Sequence, residues 1–289
     1  MRAYSQSAIE LFKTCEQRWL FAQEGWRPID QRVTKANVAA AVGTAFHKAM
    51  EKYMRSRRSG FDDRLDHLVT IAQMHWNLWK IEKEEDEWDP KAFAEATDAE
   101  LKLRKMVEAF VEQEHLTSMY EIVAIEEKLP EVWGESTPDL VMRDRYGLVV
   151  VDYKTRLYSN KYYKEQDIKL FPHTTQMLLY TKAVEELYGE KCERCIMVII
   201  PRNKRPKIEF HTSDINIKYR DGIWYPRIEE TWRQMDQVES GARPAQLATE
   251  HKTKYGWCPY FKACLNYGCD EVEMLADFYK KEKRGIYDD

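Results

Sequence analysis

The stretch that most restricts the fold is LVVVDYKT, residues 148–155. Leu148 to Val151 is an unbroken apolar run, short and rich in β-branched residues, which marks a strand buried inside a sheet. It leads straight into Asp152, and Lys154 follows two places later. Side chains alternate along a strand, so the acid and the base share one face. A core strand that surfaces with two ionisable groups must supply partners for them, because a buried unpaired charge is strongly unfavourable.

Similar short runs surround it. EIVAIEEKL at 121–129, TPDLVMRD at 137–144, CIMVIIP at 195–201 and KIEFHTSD at 207–214 read as further strands, separated by turn residues. Before them the chain is helical. Ser7 and Glu10 form a capping-box pattern for a helix over 7–23, with Leu11, Cys15 and Trp19 on one face. Residues 36–58 form a second helix stopped by Gly60, and two more follow near 62–83 and 94–115, joined by the acidic linker EKEEDEWDP. Helices are also expected at 173–188 and from Tyr225 to about Gly241. This order predicts an α/β fold: a mixed central sheet flanked by helices, with an N-terminal helical subdomain and a cysteine-bearing C-terminal tail. The expected division is a helical part over 1–118, a core over 119–245 and a tail over 246–289, integrated into one domain.

The net charge of −4 gives no global attraction to nucleic acid, so a DNA partner requires a local basic groove. No apolar run reaches the roughly 18 residues of a membrane helix. The first residues, MRAYSQSAIELF, lack the apolar core of a signal peptide. A cytoplasmic protein is expected, in which the six cysteines are free or metal-bound rather than disulfide-linked.

Asp139 lies in TPDLV, and MRDRYG with Gly147 is a hairpin-length turn before the Asp152 strand. Antiparallel pairing would bring Asp139 and Asp152 to one end of the sheet. Two close carboxylates repel unless a cation sits between them. Mg²⁺ or Mn²⁺ suits such oxygen donors. The Lys154 ammonium can position a water and offset charge on a phosphate. The set is suited to phosphodiester hydrolysis; the plainer alternative is a surface ion pair at a strand end.

Pro138–Asp139 followed by Asp152-Tyr153-Lys154 resembles the PD-(D/E)XK nuclease superfamily, with Asp in the D/E slot. More closely, the chain resembles its RecB-like exonuclease branch, which includes the AddB nuclease domain and the CRISPR-associated iron–sulfur exonucleases. That branch has an early G-x-x-x-H, matched by Gly43 to His47, and a Q-x-x-x-Y, matched by Gln176 to Tyr180. It also opens with a serine-rich helix start leading to a cysteine, matched by YSQSAIELFKTC. The resemblance implies a divalent-metal-dependent DNA exonuclease acting on single strands or DNA ends, alongside a helicase or recombination partner. His47, Asp139, Asp152 and the backbone carbonyl of Tyr153 would hold the metal, with Lys154 positioning the attacking water. Glu126 matches an acidic position on the first strand, with Glu127 competing. Gln176 and Tyr180, one turn apart, would bind the scissile phosphate or orient Lys154, unless they are merely polar helix surface. Two other readings stay open: an endonuclease on the same core, and a non-cleaving binding protein that kept the fold.

Cys258, Cys264 and Cys269 are closely spaced in WCPYFKACLNYGC, a pattern good for metal ligation, and a closed site needs a fourth ligand. The family layout supplies Cys15. The implied centre is a structural [4Fe–4S] cluster, with Zn²⁺ as the alternative. The spacing departs from the family's C-x₂-C-x₅-C, because Tyr255 stands where the first late cysteine is expected. Cys192 and Cys195 read as core residues. Lys161, Tyr162, Tyr163 and Lys164 mix cations with rings, a composition that suits single-stranded DNA. RSRR at 55–58 and RNKRPK at 202–207 are further basic runs.

Overall fold

The computed structural model describes residues 3–28, 35–83, 88, 90–134, 136–158, 160–246, 252–253, 256–257, 260 and 279–281. In chain order the elements begin with α1 (Gln6–Thr14), α2 (Glu16–Gln23), β1 (Trp26–Pro28), α3 (Lys35–Arg58), α4 (Leu65–Ile81), α5 (Pro90–Gln113) and α6 (Leu116–Met119). The sheet-forming part contains β2 (Glu121–Ile125), β3 (Leu140–Asp144), β4 (Gly147–Arg156), α7 (Lys161–Leu170), α8 (Thr175–Tyr188), β5 (Arg194–Pro201) and β6 (Glu209–Asp214). α9 (Ile217–Tyr219), α10 (Tyr225–Glu239), β7 (Lys252–Thr253), β8 (Gly256–Trp257) and β9 (Tyr279–Lys281) complete the chain. Two compact units result: residues 32–225, and residues 1–31 together with 226–289. No helix among the described residues is long and apolar enough to cross a membrane.

The larger unit holds a five-stranded mixed sheet in the order β2-β3-β4-β5-β6. β4 is its middle strand, antiparallel to β3 and parallel to β5. Its unbroken apolar run is explained by cover on both faces. Val149, Val151 and Tyr153 belong to the core cluster shared with α3, α4 and α5, while α8 packs against the same strand. Each valine or leucine so buried contributes about 1.5–3 kcal/mol. The α/β fold read from the apolar runs is the one present, with the helical N-terminal region in place.

Local chemistry sets the joints that matter to the site. The β3–β4 hairpin turns at Arg145 and Tyr146, with Asp144 paired to Gly147. Asp144 accepts the Tyr146 N–H at 2.8 Å. Gly147 has φ +117, and a Cβ there would lie 2.5 Å from the Lys191 carbonyl oxygen, so no side chain fits. α8 starts where Thr174 accepts the Met177 N–H at 3.3 Å and ends at left-handed Gly189.

The smaller unit corrects one expectation. The predicted helix over 7–23 is broken at Cys15, which is extended at φ −165 and ψ 113. Ser5, not Ser7, caps α1 by accepting the Ala8 N–H at 3.4 Å, and Glu10 is occupied instead by Gln6 at 2.6 Å. The break turns α2 so that Trp19, fully buried, meets Phe12 and Tyr4 edge-on at centroid distances of 5.1 and 5.6 Å. Burying that indole between two rings outweighs the continuity of one amphipathic helix. Arg243 grips Glu16 at 2.6 and 2.9 Å, and Tyr260 donates to the Trp26 carbonyl at 2.7 Å. β1 and β9 pair antiparallel. This unit is therefore assembled from the two ends of the chain.

Candidate active site

Leu140 pairs with Val151 in the β3–β4 ladder, so Asp139 and Asp152 emerge at the same end of the sheet. Ile125 pairs with Leu140, which brings Glu126, the residue after β2, to that end as well. Glu126 has φ +47, the left-handed region that costs a non-glycine residue about 1–3 kcal/mol. Its backbone N–H donates to the Asp139 carbonyl at 3.1 Å. Glu127, the competing candidate, instead accepts a hydrogen bond from Tyr188 at 3.5 Å.

His47 reaches this end from α3. Its Nε2 lies 3.1 Å from the Tyr153 carbonyl oxygen, and its Nδ1 lies 3.3 Å from Asp139 and 3.8 Å from Glu126. Ligand atoms of His47, Glu126 and Asp139 all lie within 4.8 Å of one another. The second oxygen of Asp139 accepts the Tyr153 N–H at 2.7 Å, which fixes the carboxylate.

A second set occupies the α8 side of β4. Lys154 Nζ lies 2.7 Å from Asp152 Oδ2 and donates to Gln176 Oε1 at 3.1 Å. Gln176 Nε2 donates to Asp152 Oδ1 at 3.0 Å. Tyr180, buried rather than surface-exposed, donates to the Thr137 carbonyl at 3.1 Å and sits 3.4 Å from Gln176 Nε2. The Q-x-x-x-Y turn thus ties β4 to the segment before Asp139.

The electrostatics explain the grouping. Desolvation alone would lower the proton affinity of His47. The Asp139 charge, hydrogen bonds with Asp139 and Glu126, and the Asp152 charge outweigh it and push His47 up to about 10. Burial pushes the Asp152 carboxyl up to about 6, against the pull of Lys154. Burial also raises Tyr180, to about 12. The cluster therefore draws positive charge strongly. Asp152 Oδ2 is buried without a well-directed hydrogen bond, and three carboxylates face one lysine and one histidine. An oxygen-rich set of three carboxylates with one imidazole fits Mg²⁺ or Mn²⁺.

The G-x-x-x-H glycine has a steric purpose that spacing alone did not reveal. A Cβ at Gly43 would lie 2.9 Å from Thr155 Oγ1, so glycine lets α3 approach β4 closely one turn before His47. The detectable signal was a glycine inside an alanine-rich helix, which costs about 1 kcal/mol unless packing repays it. A cleft of about 530 Å³ opens here, lined by Ala40, Gly43, Thr44, His47, Lys48 and Glu126 among others.

Other predicted residues lie apart from this cluster. Lys161, Tyr162, Tyr163 and Lys164 form the first turn of α7, capped by Asn160 at 3.1 Å. Lys161 pairs with Glu165 at 3.5 Å and Lys164 with Glu209, while both tyrosines are exposed. Cys15 lies at the α1–α2 break beside a cavity of about 380 Å³. Cys258, Cys264 and Cys269 fall outside the described residues. Cys192 and Cys195 are fully buried, as read from their position.

Residues 3–265 match the PD-(D/E)XK nuclease superfamily, and the chain belongs to it. Nucleases of this superfamily use divalent metals, in keeping with the donor set at the sheet end. The chain is also similar to a crystal structure from Eubacterium rectale that carries the name "Putative exonuclease". The identity is 14%, the coverage 85% of this chain and 84% of that one, and the TM-score 0.47. No curated protein matches the sequence.

Proposed function

We propose that this chain is a divalent-metal-dependent DNA exonuclease of the RecB-like branch, acting on single strands or DNA ends. The observation that carries the reading is the convergence of His47, Glu126, Asp139 and Asp152 with Lys154 at one end of β4. His47, Asp139, Asp152 and the Tyr153 carbonyl would hold Mg²⁺ or Mn²⁺, which supplies Lewis-acid charge to the scissile phosphate when bound. Glu126 adds negative charge beside His47. Lys154 holds its ammonium where an attacking water and the developing phosphate charge meet. Gln176 fixes both Lys154 and Asp152, and Tyr180 anchors that bridge through Thr137.

A structural [4Fe–4S] cluster on Cys15, Cys258, Cys264 and Cys269 belongs to the same reading, with Zn²⁺ as the alternative metal. It is supported by Cys15 lying in the unit made of both chain ends. Lys161, Tyr162, Tyr163 and Lys164 remain a proposed DNA contact, a helicase or recombination protein the proposed partner, and the cytoplasm the proposed location.

The deciding experiment incubates end-labelled linear and circular single-stranded DNA with the protein and Mg²⁺ or Mn²⁺. Linear DNA should shorten from an end while circles persist. Cleaved circles would establish an endonuclease on the same core, and intact substrates throughout would leave a binding protein. Anaerobically purified protein should be brown and lose its colour in Cys15→Ser; a colourless chain with one zinc would replace the iron reading.

A further inference from the structure

The basic run at 55–58 lies on α3, the helix that carries His47, and no role in the site accounts for it. Thr44, Lys48, Arg55 and Arg58 recur at helical spacing and so lie along one side of α3. Thr44 and Lys48 line the cleft over the metal-binding cluster. At the other end of the helix a second cleft, of about 620 Å³, is lined by Arg57, Arg58, Phe61, Thr117 and Tyr120 among others. Between them Arg55 reaches from α3 to the Ile125 carbonyl on edge strand β2 at 3.2 Å. Both clefts therefore border α3 and the segment containing β2.

The charge along this track differs from the rest of the chain. Lys48, Lys52, Arg55, Arg57 and Arg58 are five cations, and Glu51, Asp62 and Asp63, their partners, with Glu126 at the first cleft are four acids, which leaves one positive charge in a protein of net −4. Glu121, also at the second cleft, is already held by Arg143 at 3.3 Å. Arg58 has no ion pair or hydrogen bond among the described residues and is exposed. Beside it Phe61 is 72% exposed, a large apolar ring left in water. The free Arg58 guanidinium and the exposed Phe61 ring share one cleft and are the groups that take a phosphate and stack a base. Thr117 already donates to Glu114 at 2.9 Å, and the acids lining the cleft, Asp62 and Glu121, are held by Arg57 and Arg143. α7 offers less, because Lys161, Lys164 and the neighbouring Arg156 each already hold an acid.

We propose that the α3–β2 track is a binding site for single-stranded DNA, with a nucleotide held by Arg58, Phe61 and Tyr120 at the end remote from the metal ligands. His47 and Arg57 are separated by about 15 Å along the helix at 1.5 Å per residue. That spans about four nucleotides where the bases keep the roughly 3.4 Å stacked rise of duplex DNA, and fewer where the single strand is extended. The track thus sets a minimum length for tight binding. This rests on the nuclease reading only for the identity of the site at its other end.

The test measures fluorescence anisotropy of the full chain in EDTA with labelled oligothymidylates of two to twelve nucleotides. Affinity should step upward as the oligomer lengthens from two to about four nucleotides. Arg58→Ala and Phe61→Ala, both exposed and both checked by melting temperature, should weaken long oligomers about tenfold or more. Neither should change dimer binding. Arg58→Ala should also reduce the salt slope by about one. With Mn²⁺, KM should rise and kcat at saturating DNA should hold. Parent-like binding of long oligomers by both variants, or tighter binding of duplex than of single strands, overturns the proposal. A chain that never cleaves DNA yet binds it through Arg58 refutes the nuclease reading and keeps the track.

Discussion

The two ends of the central sheet are built from the same strands and similar residue types, yet they solve opposite problems. At the hairpin end Arg194 donates to Asp144 at 2.9 and 2.5 Å, and Arg143 donates to Glu190 at 2.9 and 2.6 Å. Asp144 and Glu190 each meet a guanidinium whose fork matches the carboxylate geometry. At the other end three carboxylates, Glu126, Asp139 and Asp152, crowd around one histidine and one lysine, His47 and Lys154. The first end is closed and charge-matched, so its ions serve stability. The second has more acid than base, a composition suited to the proposed cation. A perturbed carboxylate in a cleft is a functional signal for that reason.

The sharpest way to break this comparison is one substitution at each end. If Asp152 holds the metal as proposed, Asp152→Ala should reduce DNA cleavage by at least about a thousandfold. Its melting temperature in chelator should fall less than that of Asp144→Ala, because burial and the Asp139 charge already oppose the Asp152 charge and offset the partner that Lys154 loses. Asp144→Ala should do the reverse. It strands a largely buried Arg194 and should cost about 1.5–3 kcal/mol of stability with kcat unchanged. Equal loss of activity in both variants would erase the distinction between the ends.

Much of the open end was legible in short motifs, because strand alternation and helical spacing put chemistry at fixed offsets. Asp139, Asp152 and Lys154 followed from a hairpin and a period of two, while Gln176 and Tyr180 came from the resemblance to the Q-x-x-x-Y motif. What stayed hidden depends on tertiary contact. Glu126 and Glu127 are adjacent acids, and only the left-handed backbone at Glu126 selects between them. The break at Cys15 depends on where Trp19 finds its rings. Lys164 looked free for DNA because Glu209, its partner, lies far along the chain on β6. The closed end left no motif at all, since an Arg–Asp pair between β3 and β5 has no sequence spacing of its own.

A second substitution sharpens the geometry of the open end. Gly43→Ala forces a Cβ against Thr155 Oγ1 and should push α3, and with it His47, away from the Tyr153 carbonyl. Mn²⁺ affinity by calorimetry should fall about tenfold, the scale seen when a ligand loses its support. Thr155→Ala in the same chain removes the obstructing oxygen and should restore most of the affinity. Unaltered Mn²⁺ binding in Gly43→Ala would show that close packing here does not set the His47 position.

The closed end should also show its own pH signature. Hydrogen bonds from Arg194 hold the Asp144 carboxyl below the usual carboxylate range, against desolvation and aided by the Tyr146 N–H and the Arg194 and Arg145 charges. A folded pKa below the unfolded one contributes stability that is full above about 3.9 and vanishes as pH falls through the folded value. The stability gap between the parent and Asp144→Asn should therefore stay level from about pH 8 to 5 and narrow below about 4. Denaturant melts in chelator across that range measure it, and a gap that widened in acid would contradict the pairing.

The smallest effect is expected from the thiols of the closed end. Cys195 lies on β5 beside Arg194, and the Cys192 N–H donates to Glu185 at 3.0 Å. Both side chains are fully buried. Desolvation pushes the Cys192 thiol up to about 12 and raises Cys195 as well. Only the thiolate reacts, so neither should be alkylated in the folded chain. Brief treatment with iodoacetamide followed by mass spectrometry should leave both unmodified, and denaturant should expose them together as the sheet opens. Cys192→Ser should keep cleavage and metal content at parental levels, with only the modest instability of a hydroxyl in an apolar place. Rapid alkylation of Cys192 or Cys195 in the folded chain would mean that the hairpin end opens readily, and that the contrast with the acidic end lies in dynamics as well as charge.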